Sequence, residues 1–113
     1  MSLPHPPADQ ITLPNVLAVL GDATRLAIVG HLARNEGVPL NCGKFLELGS
    51  KTNLSYHFAK LREAGITRTE VVGTSRLITL RRDDLERRFP GLLDSVIAAA
   101  NDFPLPSADG LRD

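Results

Sequence analysis

The residue pattern predicts a mainly α-helical fold with one small β-hairpin, an α+β class. Apolar residues recur at helical spacing in several separate segments, as Leu54, Phe58 and Leu61 do at i, i+4 and i+7. Two β-branched runs, ITRTEVV and RLITL, flank the short loop GTS, the pattern of a hairpin. Between the periodic segments stand breakers and cap formers: Gly21-Asp22, Gly37, Pro39, Gly49-Ser50 and Gly65.

Taken in order, Pro4, Pro6 and Pro7 make residues 1–11 a flexible, extended arm. A first helix is expected over 12–20, with Leu13, Val16, Leu17 and Leu20 on one stripe. Asp22 is a good N-cap for a second, running from Ala23 to about Arg34. The stretch NEGVPLN reads as a loop, and Lys44 to Leu48 as a brief third helix. Ser50 can cap the next helix, KTNLSYHFAKLREAG, which stops at Gly65 as a C′ glycine. The hairpin follows. Asp83 or Asp84 then caps a small helix through Arg88, and Pro90 sits where a last helix begins and continues to about Ala100. In that last helix Leu92, Leu93, Val96, Ile97 and Ala100 form an apolar stripe. Residues 102–113, with Pro104 and Pro106, read as a flexible tail. One domain therefore spans 12–101, and a helix-turn-helix followed by a two-stranded wing is an arrangement suited to reading DNA.

Composition narrows the class. The chain has 113 residues, is 42% hydrophobic and 4% aromatic, and contains no Trp, so one modest aliphatic core is expected. No apolar run approaches the ~18 residues of a membrane span, and MSLPHPPADQ does not resemble a secretory signal. Cys42, the single cysteine, cannot form an internal disulfide. A soluble cytoplasmic protein is the expectation. Formal net charge is zero, but residues 51–82 hold seven Lys and Arg against two Glu, whereas the rest of the chain is acidic. That basic block is a localised footprint for a polyanion; a solvated charged surface reads the same way.

The face of the 51–63 segment opposite its apolar row gathers Thr52, Asn53, Ser55, Tyr56, His57 and Lys60. Base edges in a major groove are read by side chains with directional hydrogen bonds, and residues in the first turns of a recognition helix do that reading. Thr52, Asn53, Ser55, Tyr56 and His57 are the candidates for bases. Lys60, together with Ser50 at the helix start, is a candidate for phosphate, and Lys51 belongs to the same DNA-binding set. Arg76, just past the Gly73 turn, is the first candidate for a wing contact, and Arg68 in the other strand is the second. Polar residues on an exposed helix face are also ordinary, and His57 can equally cap or pack.

These segments carry a family resemblance. LGDATRLAIVGHL resembles the second-helix signature of the ArsR/SmtB-type winged helix-turn-helix repressors, written L-x-D-x-x-R-L-x-I-L-x-x-L. SKTNLSYHFAKLREAGI is similar to the family's recognition segment, S-x-S-x-x-S-x-H-L-x-x-L-x-x-A-G. In that register Ser50, Thr52, Ser55 and His57 match the motif's hydroxyls and histidine, Leu61 its buried leucine and Ala64-Gly65 its helix end; Phe58 replaces the usual Leu. The similarity runs from about Leu13 to Leu93. It implies a homodimer that binds an imperfect palindrome of double-stranded DNA in a promoter and represses transcription.

Dimerisation also follows from the residues. The stripes of the first and last helices, Leu13, Val16 and Leu17 with Leu92, Leu93, Val96 and Ile97, exceed what so small a core covers. Pairing with a second copy would bury them, at ~25 cal/mol per Å². The alternative is that they close the monomer core.

A sensor is less legible. The family's metal site uses a Cys-x-Cys pair within E-L-C-x-C-D-L, and the equivalent stretch here, PLNCGKFLEL, has Cys42 alone. The family's second site, of Asp and His along the last helices, lacks histidine here. No metal and no cofactor are expected. Cys42 remains a possible sensor by thiol oxidation, and a small-molecule or protein effector fits equally well. Catalysis is not expected: Ser55 and His57 diverge at i, i+2, and no Gly-rich phosphate loop occurs. The competing non-enzymatic reading is a winged-helix protein-interaction module.

Overall fold

The computed structural model describes residues 3–36, 40–41 and 51–101. The expected short helix at 44–48, Cys42, Ser50 and the 102–113 tail lie outside the described residues. Helices α1 (Leu13–Leu20) and α2 (Ala23–Arg34) are followed by a short strand β1 (Leu40–Asn41) and helix α3 (Lys51–Glu63). The hairpin β2 (Thr67–Val72) and β3 (Ser75–Leu80) comes next, then α4 (Arg82–Arg88) and α5 (Leu92–Asn101).

Local chemistry accounts for the element ends. The Asp22 carboxylate accepts from the Arg25 backbone N–H at 3.0 Å, which starts α2 as expected. Helix α3 ends in a Schellman arrangement: Gly65 N donates to Arg62 O and Ile66 N to Leu61 O, both at 3.0 Å. Gly65 holds φ +82°, and a Cβ there would lie 2.5 Å from the Ile11 side chain. The hairpin turn is Gly73-Thr74 alone, with Gly73 at φ +62°, so Ser75 belongs to β3 and not to the loop.

The sheet has the order β1-β3-β2 and is antiparallel throughout. Its first strand lies in the stretch expected to be loop: Leu40 and Asn41 pair with Ile78 and Leu77 on β3, and two residues are too few to show a period of two. Helix α2 packs against α1, α3, α5 and β3. Ile28, Val29 and Leu32 from α2, Leu54, Phe58 and Leu61 from α3, and Ile66 and Ile78 beside them make the core.

Four expectations are corrected. The arm is tied down over residues 3–11, not free. Ile11 is buried, the His5 ring accepts a hydrogen bond from the Thr69 N–H at 3.0 Å, and the Arg81 guanidinium donates to Pro6 O at 2.8 Å. Helix α4 has Arg81 at its N-cap, without a side-chain cap bond; Asp83 and Asp84 occupy its first turn, and Asp84 pairs with Arg81. The last helix starts at Leu92, after Gly91. Finally, Val16 and Leu93 are nearly inaccessible and belong to the monomer core, so neither is free to meet a second copy. Leu13 and Leu17 remain 40% and 50% exposed, while Leu92, Val96 and Ile97 are half-buried against the core.

The two turn glycines separate strain from collision. Gly65→Ala must bear both the left-handed backbone cost and the clash with Ile11, together about 2–4 kcal/mol. Gly73→Ala, with nothing within 4 Å of the added carbon, should lose only about 1–2 kcal/mol. Urea unfolding of the two variants beside the wild type measures the difference.

Candidate nucleic-acid interface

Helix α3 places its apolar row inward as expected: Leu54, Phe58 and Leu61 are buried. Thr52, Asn53, Ser55 and Tyr56 are exposed on the other side. Tyr56 is 55% exposed. The Lys60 ammonium, one turn on, lies 5.4 Å from the centroid of its ring, a cation–π distance. A phenol, hydroxyls and an amide thus share one solvent-facing surface, backed by a cation that is itself half-buried. Ser50 and the side chain of Lys51 lie outside the described residues.

His57 is not part of that surface. Its ring is buried, and the sequence reading of it as a base contact is corrected. The physical reason is periodicity: a helical face collects i, i+3, i+4 and i+7, and His57 is the i+3 position after Leu54. The apolar row alone does not reveal that position, because its residue is polar. Burial brings compensation. His57 Nδ1 lies 3.1 Å from Arg25 Nη1 and 3.9 Å from Asp22 Oδ2, and its ring meets the edge of Tyr56 at 5.6 Å between centroids. Arg25 and Asp22, at the start of α2, are the site residues that sequence reasoning missed. The signal was there in the D-x-x-R spacing of LGDATRL, which marks a helix start and part of a family signature but not a contact with α3.

The wing divides its cations. Register pairs Val71 with Arg76 and Thr69 with Ile78, so Arg76 shares the face that carries the buried Thr69 and Ile78. Arg68 pairs with Thr79 on the opposite face. Both arginines are exposed, and a duplex lying against one face of the hairpin meets one of them directly.

The basic block is also thinner than its residue count. Arg81 is bonded to Asp84 through Nε and Nη2, at 3.0 and 2.9 Å. Arg82 bridges Glu36 and Asp94. Both therefore serve the fold. Among the described residues no ion pair holds Lys60, Arg62, Arg68 or Arg76, and no group of three or more His, Cys, Asp or Glu is arranged to hold a metal. No single described helix is long and apolar enough to cross a membrane.

A helix-turn-helix domain family matches residues 20–70, from the end of α1 through α2 and α3 into β2. The chain is also similar to YceK of Bacillus subtilis (strain 168), an uncharacterized HTH-type transcriptional regulator. Identity is 38% over 93 residues, which cover 78% of this chain and 88% of that protein.

At the edge of the wing, His5 should give stability a pH dependence. Burial, and then Arg68, Arg62 and Arg81 nearby, hold its imidazolium form below the ordinary histidine range. A depressed folded-state value means the unfolded chain takes up the proton first. The contribution is thus full above about pH 6.5 and is lost as pH falls below it. His5→Gln keeps an acceptor for Thr69 N–H without titrating. Urea midpoints at acid and neutral pH should fall further apart for the wild type than for this variant.

Proposed function

The chain belongs to the helix-turn-helix transcriptional regulators, and from that premise we propose that it is a homodimeric repressor of the ArsR/SmtB type that binds a promoter palindrome. The observation that carries the reading is the division of α3 into a locked inner row and an outer polar surface of Thr52, Asn53, Ser55 and Tyr56. Such a surface offers short, directional donors and acceptors to base edges, which is what major-groove discrimination needs. Lys60 serves the backbone phosphates, and Arg76 or Arg68 serves the groove or backbone beside the wing.

Two copies double the contact and set its spacing. Leu13 and Leu17 sit one turn apart on the exposed side of α1. Together with the half-buried Leu92, Val96 and Ile97 of α5 they are the proposed dimer surface. A two-fold axis then presents two α3 helices ~34 Å apart, one turn of B-DNA. Repression follows if the palindrome overlaps the promoter, since a bound dimer and a polymerase exclude each other. Control by the family's cysteine-pair metal site is not part of the proposal, because Cys42 stands there alone.

Genome-wide recovery of bound DNA supplies the operator, and gel shifts on it test the reading. Tyr56→Ala should cost about 1–3 kcal/mol on the operator and far less on random DNA. Equal losses on both would remove base reading from α3. Unchanged binding by the Lys60→Glu, Arg76→Glu double variant would favour a protein-interaction module instead. For the dimer, Leu17→Asp should sediment as a folded monomer, because burying an unpaired carboxylate at an interface is costly. Leu93→Asp should lose the fold itself. A dimeric Leu17→Asp protein would move the interface elsewhere.

A further inference from the structure

Among the described residues, the buried side of α3 carries a polar attachment whose partners lie outside the recognition segment. Arg25 Nε donates to the Val19 carbonyl near the end of α1 at 2.6 Å, and Arg25 Nη1 lies 3.1 Å from His57 Nδ1. One guanidinium therefore joins the end of α1, the start of α2 and the middle of α3. We infer that Arg25 and His57 are a positioning pair, which holds α3 at the rotation about its own axis that aims Tyr56 and its polar neighbours at base edges. This inference rests on the proposed reading of α3.

Three physical points carry it. First, apolar contacts are non-directional: Leu54, Phe58 and Leu61 hold α3 on the core but tolerate small rotations, whereas a hydrogen bond weakens steeply off its axis. His57 adjoins Tyr56 in sequence and in space, with ring centroids 5.6 Å apart, so a constraint on one ring is passed to the other. Second, Arg25 is itself fixed. Its backbone N–H is bound by Asp22 and its Nε by Val19, and a planar fork held at one end presents its other donors in a set direction.

Third, the contact specifies a protonation state. A guanidinium only donates, so His57 Nδ1 must accept and the ring proton must be on Nε2. A second proton would turn the bond into two cations 3.1 Å apart. From α2, Arg25 and Asp22 face the ring. On its own helix stand Tyr56 and, three residues on, Lys60, and β2, also packed on α3, contributes no ion pair to His57. The Asp22 carboxylate, at 3.9 Å, offsets part of the repulsion but already accepts from the Arg25 N–H. The attachment is therefore a bond to one ring nitrogen, and its direction fixes the ring.

The test uses the full chain, the recovered operator duplex and a random duplex of equal length. His57→Asn keeps an acceptor where Nδ1 was and cannot titrate; His57→Leu and Arg25→Met remove the bond. At about pH 7.5, His57→Asn should bind the operator within about threefold of wild type, while the other two lose about tenfold or more, one hydrogen bond's worth. Random-DNA binding should change less than about twofold. Operator binding by His57→Leu or by Arg25→Met at the wild-type level, or a loss in His57→Asn as large as in His57→Leu, overturns the inference. Arg25→Met leaves the sequence of α3 untouched and His57→Asn keeps the acceptor, so the two decide even if His57→Leu fails to fold. Tyr56→Ala is measured in parallel. If it too keeps the operator-to-random ratio, base reading by α3 has failed; if it alone lowers the ratio, base reading stands and the positioning pair falls.

Discussion

Helix α3 can present a surface only because its opposite side is immobilised. Leu54, Phe58 and Leu61 sit in the core with exposures of 1%, 8% and 0%. The Schellman end at Gly65 turns the chain directly into Ile66, which is also fully buried. At roughly 1.5–3 kcal/mol per buried aliphatic or aromatic side chain, this row outweighs any single polar contact of the helix. What the row leaves open is fine rotation, and the Arg25–His57 bond acts on that remaining freedom. Core and polar attachment therefore have different tasks: one sets how firmly the helix is held, the other at what angle.

Charge is likewise divided between folding and surface. Arg81 and Arg82 sit at the junction of β3 and α4 and are consumed there. Arg81 holds Asp84 and the arm's Pro6 carbonyl, and Arg82 ties the end of α2, through Glu36, to α5, through Asp94. These pairs fix the frame from which the wing projects. Lys60, Arg68 and Arg76 stay clear of such pairs among the described residues. The polyanion footprint is accordingly carried by fewer cations than the linear count suggests.

The N-terminal segment contributes more than its proline content implies. His5 covers a backbone donor on the outer edge of β2, a strand whose other side is paired to β3. An edge strand with unmet donors invites pairing with a foreign strand. Ile11 fills the space beside Gly65 that any side chain at that position would contest. The arm thus closes the wing's open edge and packs over the end of α3 at the same time.

What the residues determined on their own was whatever depends on local periodicity and capping. The helices over α1, α2 and α3, the Asp22 cap, the Gly65 stop and the hairpin around Gly73 were all legible, as was the outward placement of Thr52, Asn53, Ser55 and Tyr56. Tertiary structure decided matters that turn on contacts distant in sequence. It put β1 beside β3, seated the arm on the wing, and sent Val16 and Leu93 into the monomer core while Leu13 and Leu17 stayed outside. Above all it supplied a partner for His57, whose helical position points inward: a polar ring there is tolerable only when a group 32 residues away, Arg25, meets it. Periodicity marks which side of a helix a residue is on; it cannot show what waits on that side.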